Sequence, residues 1–539
     1  VPTTAQTLVA SLAGHGVDRV FCVAGESYLP VLDALHDSGI DVVTCRHEGS
    51  AAFMAVADAK LTGRAGVCLV SRGPGAANAA VAVHAAAEDG TPLLLLVGGV
   101  AEAEIDQEVF QSLDSGRFFG GIAKAAWTLH DPAAAASLAA RAFRLAESGT
   151  PGPVILTLPE DVLAREDPIG VPSAQAAMGA TLPGGASLRL ARRLLAQACR
   201  PLLLAGGRLS NPEGRELIRK VAERHGLPVV TSNKHQHLLP GQHPSYAGML
   251  HNATQSGQLS AFLESDLVLA VGTRLDSVTT KDHSFPGAGQ RLVHVYPDAA
   301  RIGSWHPVDL GVDASPAAFL AEMATWEPSS IEDGWTARLH QLEADKAVWE
   351  PAEAADGVVF GAVMAELGEQ TGGDLNLVVD SGTFTSWAYR YVRLGERGRL
   401  LGLGSSSMGF GVGAGVAAAL RSDGTPTVVV IGDGGFVMNP GELITACARR
   451  LPLVVIVANN GSYGTIRLHQ ELHHPGRIIA TDLANPDFAR LAEAFGALGL
   501  RVDSTEQIRP ALAKALGSGG PAVIEVRTSL KHITAYRRI

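Results

Sequence analysis

Cysteine, aromatic side chains and runs of like charge are all scarce in this 539-residue chain. The five cysteines (Cys22, Cys45, Cys68, Cys199 and Cys447) are odd in number, scattered and without a C-x-x-C pair. That pattern predicts buried thiols in a reducing compartment and argues against a disulfide framework. Phe, Trp and Tyr together make up 5%. The core must therefore come from Ala, Val, Leu and Gly, which suits α/β layers better than an aromatic-rich β-sandwich. No Lys/Arg block interrupts a balance of 43 basic and 54 acidic residues, net charge −11, so no nucleic acid and no membrane surface is an expected partner. No apolar run reaches the roughly 18 residues that a transmembrane helix needs. The opening Val1-Pro2-Thr3-Thr4-Ala5 has neither a basic nor an apolar signal region, so a cytoplasmic location is expected.

Apolar residues (46%) and glycine (61 residues) are what the chain has in quantity. Disorder is excluded, and at roughly 100–200 residues per domain the length predicts three or four domains. Three blocks emerge, at 1–165, 186–340 and 355–539. The first carries apolar strand runs at 19–24, 41–45, 66–70 and 92–97, the second at 201–205, 228–231, 267–271 and 292–296. In the third they fall at 376–380, 427–431, 453–459 and 522–527. Near-continuous Val/Ile/Leu runs are those of strands covered on both faces. Helical segments between them predict parallel, doubly wound sheets, so the fold class is α/β with three such domains in series. Residues 166–186, rich in Pro, Gly and Ala without periodicity, read as a linker, and the partly helical 328–354 as a bridge.

The most informative window is 425–460. One strand ends in Gly432-Asp433-Gly434-Gly435, and a second, after a helical stretch at 440–450, ends in Asn459-Asn460. In an open parallel sheet ligands sit beyond the carboxyl ends of the strands. A carboxylate and an amide oxygen there are hard donors suited to Mg²⁺, which leaves positions for phosphate oxygens. Gly434 and Gly435 allow backbone N–H groups to approach a diphosphate. Taken singly, each element is an ordinary strand-end turn; the pair, each member closing a buried strand, is a far stronger signal.

Gly432-Asp433-Gly434, 24 further residues and then Asn459-Asn460 resembles the thiamine diphosphate-binding motif of the acetolactate synthase-like and 2-oxo acid decarboxylase superfamily. The resemblance implies Mg²⁺ held by Asp433, Asn460 and the main-chain carbonyl of Ser462, with Tyr463, Gly464 and Thr465 continuing the cofactor segment. It also implies a glutamate from the first domain, matched by Glu48 in Cys45-Arg46-His47-Glu48. That carboxylate hydrogen-bonds N1′ of the aminopyrimidine and promotes the tautomer that removes the thiazolium C2 proton. By itself such a glutamate is more often a first-turn helix residue favoured by the helix dipole; beside the third-domain motif the catalytic reading prevails. Further matches are Ser381-Gly382-Thr383 at the diphosphate, the Ser406 carbonyl at N4′, and Met408 as the wedge that bends the cofactor. Met408 alone reads as a core residue. The Gly73-Pro74-Gly75 loop and Asn78 match the segment beside the pyrimidine.

Within the superfamily the acetolactate synthase-like branch is most similar, through Phe110-Gln111, the segment from Tyr463 to Glu471, and Asn485-Pro-Asp-Phe488. The chain has no His-His pair in its first domain, unlike simple pyruvate decarboxylases, and Glu48 separates it from glyoxylate carboligase. Three positions depart from the branch: His469 stands where Trp is usual, Glu26 where Gly is common, and Arg72 in place of a small residue. Glu26 and Arg72 either shape an atypical substrate site or form a structural ion pair. The expected function is thiamine diphosphate- and Mg²⁺-dependent carbon–carbon bond lysis or ligation on a 2-oxo acid. A non-synthase decarboxylase or lyase, including one acting on an acyl-CoA, and a silent cofactor-binding homologue are the alternatives. A homodimer or homotetramer with active sites at the subunit interface is implied. Glycine turns at 204–207 and 271–274 either touch flavin (FAD) or an ADP group, as in relatives, or simply end strands, the reading favoured here. Gly413-x-Gly415-x-x-Ala418 follows no strand and is not expected to bind a dinucleotide. His235, His237, His243, His473 and His474 lack acidic or Cys partners and read as loop residues, and 531–539 as a lid or a frayed end.

Overall fold

In the computed structural model the described residues are 1–105, 107–174 and 179–539. Part of the linker expected at 166–186 therefore lies outside the described residues. The chain forms three six-stranded sheets. The first contains β1 (Arg19–Cys22), β2 (Asp41–Thr44), β3 (Gly66–Ser71), β4 (Leu93–Gly99), β5 (Ala125–Thr128) and β6 (Pro153–Pro159). The second contains β7 (Pro201–Ala205), β8 (Val229–Thr231), β9 (Tyr246–Met249), β10 (Leu267–Val271), β11 (Arg291–Tyr296) and β12 (Leu310–Asp313). The third contains β13 (Asn376–Val379), β14 (Arg399–Leu401), β15 (Thr427–Gly432), β16 (Leu453–Asn459), β17 (Leu498–Val502) and β18 (Ala522–Arg527).

All strand pairs in these sheets are parallel. The first and third sheets share one topology, β2-β1-β3-β4-β6-β5 and β14-β13-β15-β16-β18-β17. The middle sheet runs β12-β11-β10-β7-β8-β9, the strand order of dinucleotide-binding folds. The central strands read directly from the sequence because they are apolar on both faces; β4 and β16 are buried along their whole length. Edge strands β5 and β17 are half-buried and mixed in composition, so the apolar-run signal passed over them.

First and third domains share one continuous apolar core. Its centre is the crossing of helix Glu48–Thr62, buried from Gly49 to Ala59, with helix Phe410–Leu420, buried from Phe410 to Ala419. These helices occupy equivalent places in the two repeats, each leading into the third strand of its sheet. Phe53 meets Phe410 edge-to-face at 5.6 Å between ring centroids, a pairing worth about 0.5–1.5 kcal/mol beyond its buried area. Gly413 faces the Ser50 carbonyl, which a Cβ would approach to 3.3 Å, and Gly415 lies against Val429 and Leu453. The glycine pattern 413–418 thus serves helix packing. Arg421 adds a polar clamp between the same domains, bonding both Asp18 and Asp58. Among the described residues no helix is long and apolar enough to cross a membrane.

Candidate active site

The reversal of strand order in the third sheet falls between β13 and β15. Asp380 and Ser381 follow β13, Asp433 follows β15, and Asn460 follows the neighbouring β16. A crevice outside the carboxyl ends of the strands at such a point is the standard ligand position of open α/β sheets. Here it is a cavity of about 480 Å³. The third-domain residues matched to the cofactor motif line it: Ser381 to Thr383, Ser406 and Met408, Gly432 to Gly435, Asn460, and Ser462 to Thr465; Asn459, His469 and Asn485 do not. Met408 is half-buried and faces this space, unlike a core methionine.

Asp433 is the first residue of a short helix, Asp433–Met438, rather than part of an open turn, and is only 2% exposed. One carboxylate oxygen accepts the Gly434 N–H at 2.9 Å. The other accepts from Gly461 N–H and from the Asn485 amide, both at 2.8 Å. Burial pushes this carboxyl above its ordinary range, and those donors pull it back. Asn485, which also reaches Asn459 at 3.1 Å, orients the Asp433 carboxylate from a separate loop. The Asn485-Pro-Asp-Phe segment signalled family likeness in the sequence, but its contact with Asp433 did not show there. The Asn460 side-chain Oδ1 accepts from Ser462 N–H at 3.0 Å. Loop 461–463 is pinned by bonds from Tyr463 to Thr481 at 2.8 Å and from Leu483 to Gly461 at 2.8 Å.

Asp380 is buried behind the cavity and accepts N–H groups from Ser381 at 2.6 Å, Gly409 at 3.2 Å and Gly411 at 2.7 Å. Burial pushes its carboxyl up to about 6, opposed by these donors and by the Lys234 ammonium. Lys234 enters from the middle domain with a left-handed backbone (φ 66°) and donates to the Tyr389 hydroxyl. It lines the cavity with His251 and Tyr389, none of which the sequence had marked. Residues 532–534 line it too, held by Ala535 N–H on Ser386 Oγ at 3.0 Å and by Arg390 on the Ala535 carbonyl at 2.8 Å. The lid position, not the frayed one, is therefore what the C-terminal segment adopts.

First-domain candidates gather elsewhere. Among the described residues none before Asn233 lines the cavity. Glu48 opens helix Glu48–Thr62, half-buried, and accepts from the Asn78 amide at 2.9 Å. Gly73, Pro74 and Gly75 form the first turn of helix Arg72–Asp89 instead of a loop, and a Cβ at position 75 would stand 3.6 Å from Glu48 Oε1. Gly73 N–H bonds the Gln111 carbonyl at 2.9 Å, which brings Phe110, 71% exposed, to the same open face. Arg72, with φ 47°, pairs with Glu160 at 2.9 Å and more loosely with Glu26 at 3.6 Å. The Glu26–Arg72 pair is real, but its tighter partner, Glu160, was not anticipated.

Other histidines resolve as structural. His237 is buried and His235 half-buried, and desolvation holds His235 down at about 4 and His237 below its usual range. His243 sits 3.3 Å from Glu223. Among the described residues no cluster of three or more His, Cys, Asp or Glu could hold a metal; the Asp433 site offers one carboxylate with amide and carbonyl oxygens. The glycine turns of the middle domain face each other. A Cβ on Gly206 would reach the Gly272 carbonyl at 2.3 Å, and one on Gly207 would reach His235 at 2.3 Å.

Three family models match the chain in order: the thiamine pyrophosphate enzyme N-terminal TPP binding domain over 2–117, the central domain over 188–323, and the C-terminal TPP binding domain over 380–526. The chain belongs to the thiamine pyrophosphate enzymes. Among its relatives, the acetolactate synthase large subunit of Parasynechococcus marenigrum (strain WH8102) is 32% identical over 97% of this chain and 87% of that one. The acetolactate synthase isozyme 2 large subunit of Escherichia coli (strain K12) is 30% identical over 97% and 95%. A solved structure, the Rhodococcus jostii RHA1 thiamine diphosphate-dependent 4-hydroxybenzoylformate decarboxylase, superposes with a TM-score of 0.86 at 25% identity, over 98% of this chain and 99% of that one. The protein is a thiamine pyrophosphate-dependent enzyme of the acetolactate synthase type.

The cavity fits that cofactor on its own terms. Gly464 leaves room where a Cβ would stand 3.0 Å from Asn460 Nδ2 and 3.1 Å from Thr383 Oγ1. Gly434 leaves it where one would stand 2.6 Å from the Tyr463 ring. Ser462 Oγ is buried with no partner.

Proposed function

We propose that the enzyme releases carbon dioxide from a 2-oxo acid and joins the remaining acyl carbon to a second carbonyl compound. Support comes from the convergence of Asp433, Asn460 and Ser462 beyond the carboxyl ends of two neighbouring strands, together with relatives matched over most of their length that are acetolactate synthases. Bound thiamine diphosphate supplies a carbon nucleophile and an electron sink for the bond that breaks. Asp433, Asn460 and the Ser462 carbonyl hold Mg²⁺ against the diphosphate as hard oxygen donors. Ser381 to Thr383 and Gly434-Gly435 cradle the phosphate oxygens. Met408 shapes the turn of the cofactor and the Ser406 carbonyl accepts its exocyclic amine. Glu48 holds a proton at the aminopyrimidine edge, the general acid–base role in this chain.

Glu48 does not line the cavity that Asp433 lines, so in this reading the complete site forms between subunits. Glu48 of one chain meets Asp433 of another in a homodimer or a pair of dimers. Phe110, Gln111, Glu26 and Arg72 then face the substrate from the Glu48 side. Simple decarboxylation without ligation is the second reading, favoured by His469 in place of the usual Trp and by likeness to a decarboxylase structure. The test is a panel of 2-oxo acids offered to the protein loaded with thiamine diphosphate and Mg²⁺, with carbon dioxide and carbon products quantified together. Ligated products with stoichiometric carbon dioxide support the first reading and free aldehyde the second. No carbon dioxide from any 2-oxo acid sinks both.

A further inference from the structure

A second cavity, of about 460 Å³, lies where all three domains meet, away from the site just described. The first domain contributes Leu61 and Thr62 at the end of helix Glu48–Thr62, and the middle domain contributes Arg215 and Arg219 on helix Pro212–His225. From the third domain come Arg397, Arg399 on β14, and Arg421. Five arginines thus line it, against the carboxylates of Glu216, Glu396 and Asp423.

Partnering divides these cations into two groups. Arg421 is neutralised outside the cavity by Asp18 and Asp58, at 2.6 and 2.7 Å. Arg397 pairs with Asp423 at 3.2 Å, and Arg219 with Glu396 at 2.7 Å and Glu216 at 3.5 Å. Arg215 donates only to the main-chain carbonyl of Glu396, at 2.8 Å. Among the described residues the Arg399 side chain has no hydrogen bond and no ion pair, and the Nε of Arg219 is buried without a partner. Arg215 and Arg399 also repel: burial first, and the Arg399 charge second, hold Arg215 below the usual arginine range, Arg219 adding to this and Glu396 and Asp374 opposing. Guanidinium stays charged in proteins. Two unmatched, mutually repelling guanidiniums facing one cavity favour an oxyanion between them, because a fork of N–H donors fits phosphoryl geometry and charge-assisted bonds are strong.

We propose that this three-domain junction is an anion site that takes the phosphoryl group of a small ligand between Arg215 and Arg399. The cavity exceeds a bare phosphate in volume, so the same chemistry admits inorganic phosphate or a phosphate monoester. Occupancy ties the middle domain to β14 and to the end of helix Glu48–Thr62.

The test uses the enzyme loaded with thiamine diphosphate and Mg²⁺, titrated calorimetrically with inorganic phosphate and, separately, with glycerol 3-phosphate. Wild type, Arg399→Gln, Arg215→Gln and the exposed control Arg490→Gln are compared. Saturable binding of either ligand is expected in wild type and Arg490→Gln, weakened by about tenfold or more in each cavity variant, as loss of one charge-assisted partner implies. Tighter binding of the monoester identifies an ester as the source; equal binding identifies free phosphate. Thermal melts in chloride alone give a second readout. Removing Arg399 relieves repulsion, so Arg399→Gln melts no lower than wild type without phosphate and gains less from it. No saturable heat with either ligand in wild type, or equal binding by wild type and both cavity variants, overturns the proposal.

Discussion

The buried carboxylate of Glu442, in the third domain, accepts the main-chain N–H of His47, in the first, at 3.1 Å. The same oxygen takes the Arg46 N–H at 2.8 Å. Thr445 Oγ1 donates to the other oxygen at 2.9 Å. These contacts grip the two residues immediately before Glu48, so the start of helix Glu48–Thr62 is set by a side chain some 400 residues away in sequence. Glu442→Ala leaves two N–H groups without an acceptor and should cost roughly 2–4 kcal/mol. Glu442→Gln keeps one acceptor and should cost less. The order wild type, Gln, Ala is expected in both melting temperature and kcat, with cofactor affinity at the Asp433 end little changed. Equal kcat in all three would separate this contact from Glu48.

A site shared between chains has an arithmetic consequence. Glu48→Gln and Asp433→Asn should each abolish turnover, general acid–base loss alone being worth about 10²–10⁴-fold. Co-expressed in equal amounts, random pairing makes half the dimers mixed, each with one intact site, so about one quarter of the wild-type sites return. Activity of the co-expressed sample against each variant alone is the measurement. No recovery would place both residues of a site on one chain.

Asp380 makes the cofactor-free protein sensitive to pH in a defined direction. Its carboxyl titrates at about 6 in the folded chain, against an ordinary value of 3.8. Between those values the folded state holds a proton that the unfolded state has lost. The contribution of this group to stability is therefore largest below pH 4 and falls as pH rises toward 6, by on the order of 3 kcal/mol. Urea midpoints of wild type and Asp380→Asn, compared from pH 4 to 7.5, should diverge in that sense. A gap that does not change with pH would contradict the assignment.

Metal removal should be felt as lost stability as well as lost activity. With cofactor and Mg²⁺ at about a hundred times their dissociation constants, binding adds about 2.7 kcal/mol to the folded state. A chelator should abolish that gain in wild type. In Asp433→Asn the gain should be absent from the start, and scanning calorimetry with and without Mg²⁺ distinguishes the two cases.

Helix packing at Gly413 gives a fifth handle. Gly413→Val drives a branched side chain toward the Ser50 carbonyl, which even a Cβ would approach to 3.3 Å, and overpacking of this kind costs about 1–3 kcal/mol. Its effect should appear in the melting temperature, and in turnover only so far as Glu48, two residues before Ser50, is displaced.

The central strands, the three-sheet architecture and the third-domain segments that line the cavity were legible in the sequence, because each depends on local order. A strand buried on both faces must be apolar throughout, and a strand-end Asp-Gly-Gly or Asn-Asn carries its chemistry within a few residues. What tertiary structure alone decided was which distant groups meet. Asn485 orients Asp433, Glu442 grips the backbone before Glu48, Glu160 rather than Glu26 is the tighter partner of Arg72, and Lys234 reaches the cavity from the middle domain. Each is a contact of a single polar side chain across a large sequence separation, and it leaves no periodicity to read. The scarcity of aromatics and the wealth of small residues have the same explanation. Helices Glu48–Thr62 and Phe410–Leu420 are buried almost all round and pass close together, so Ala and Gly are what their crossing admits.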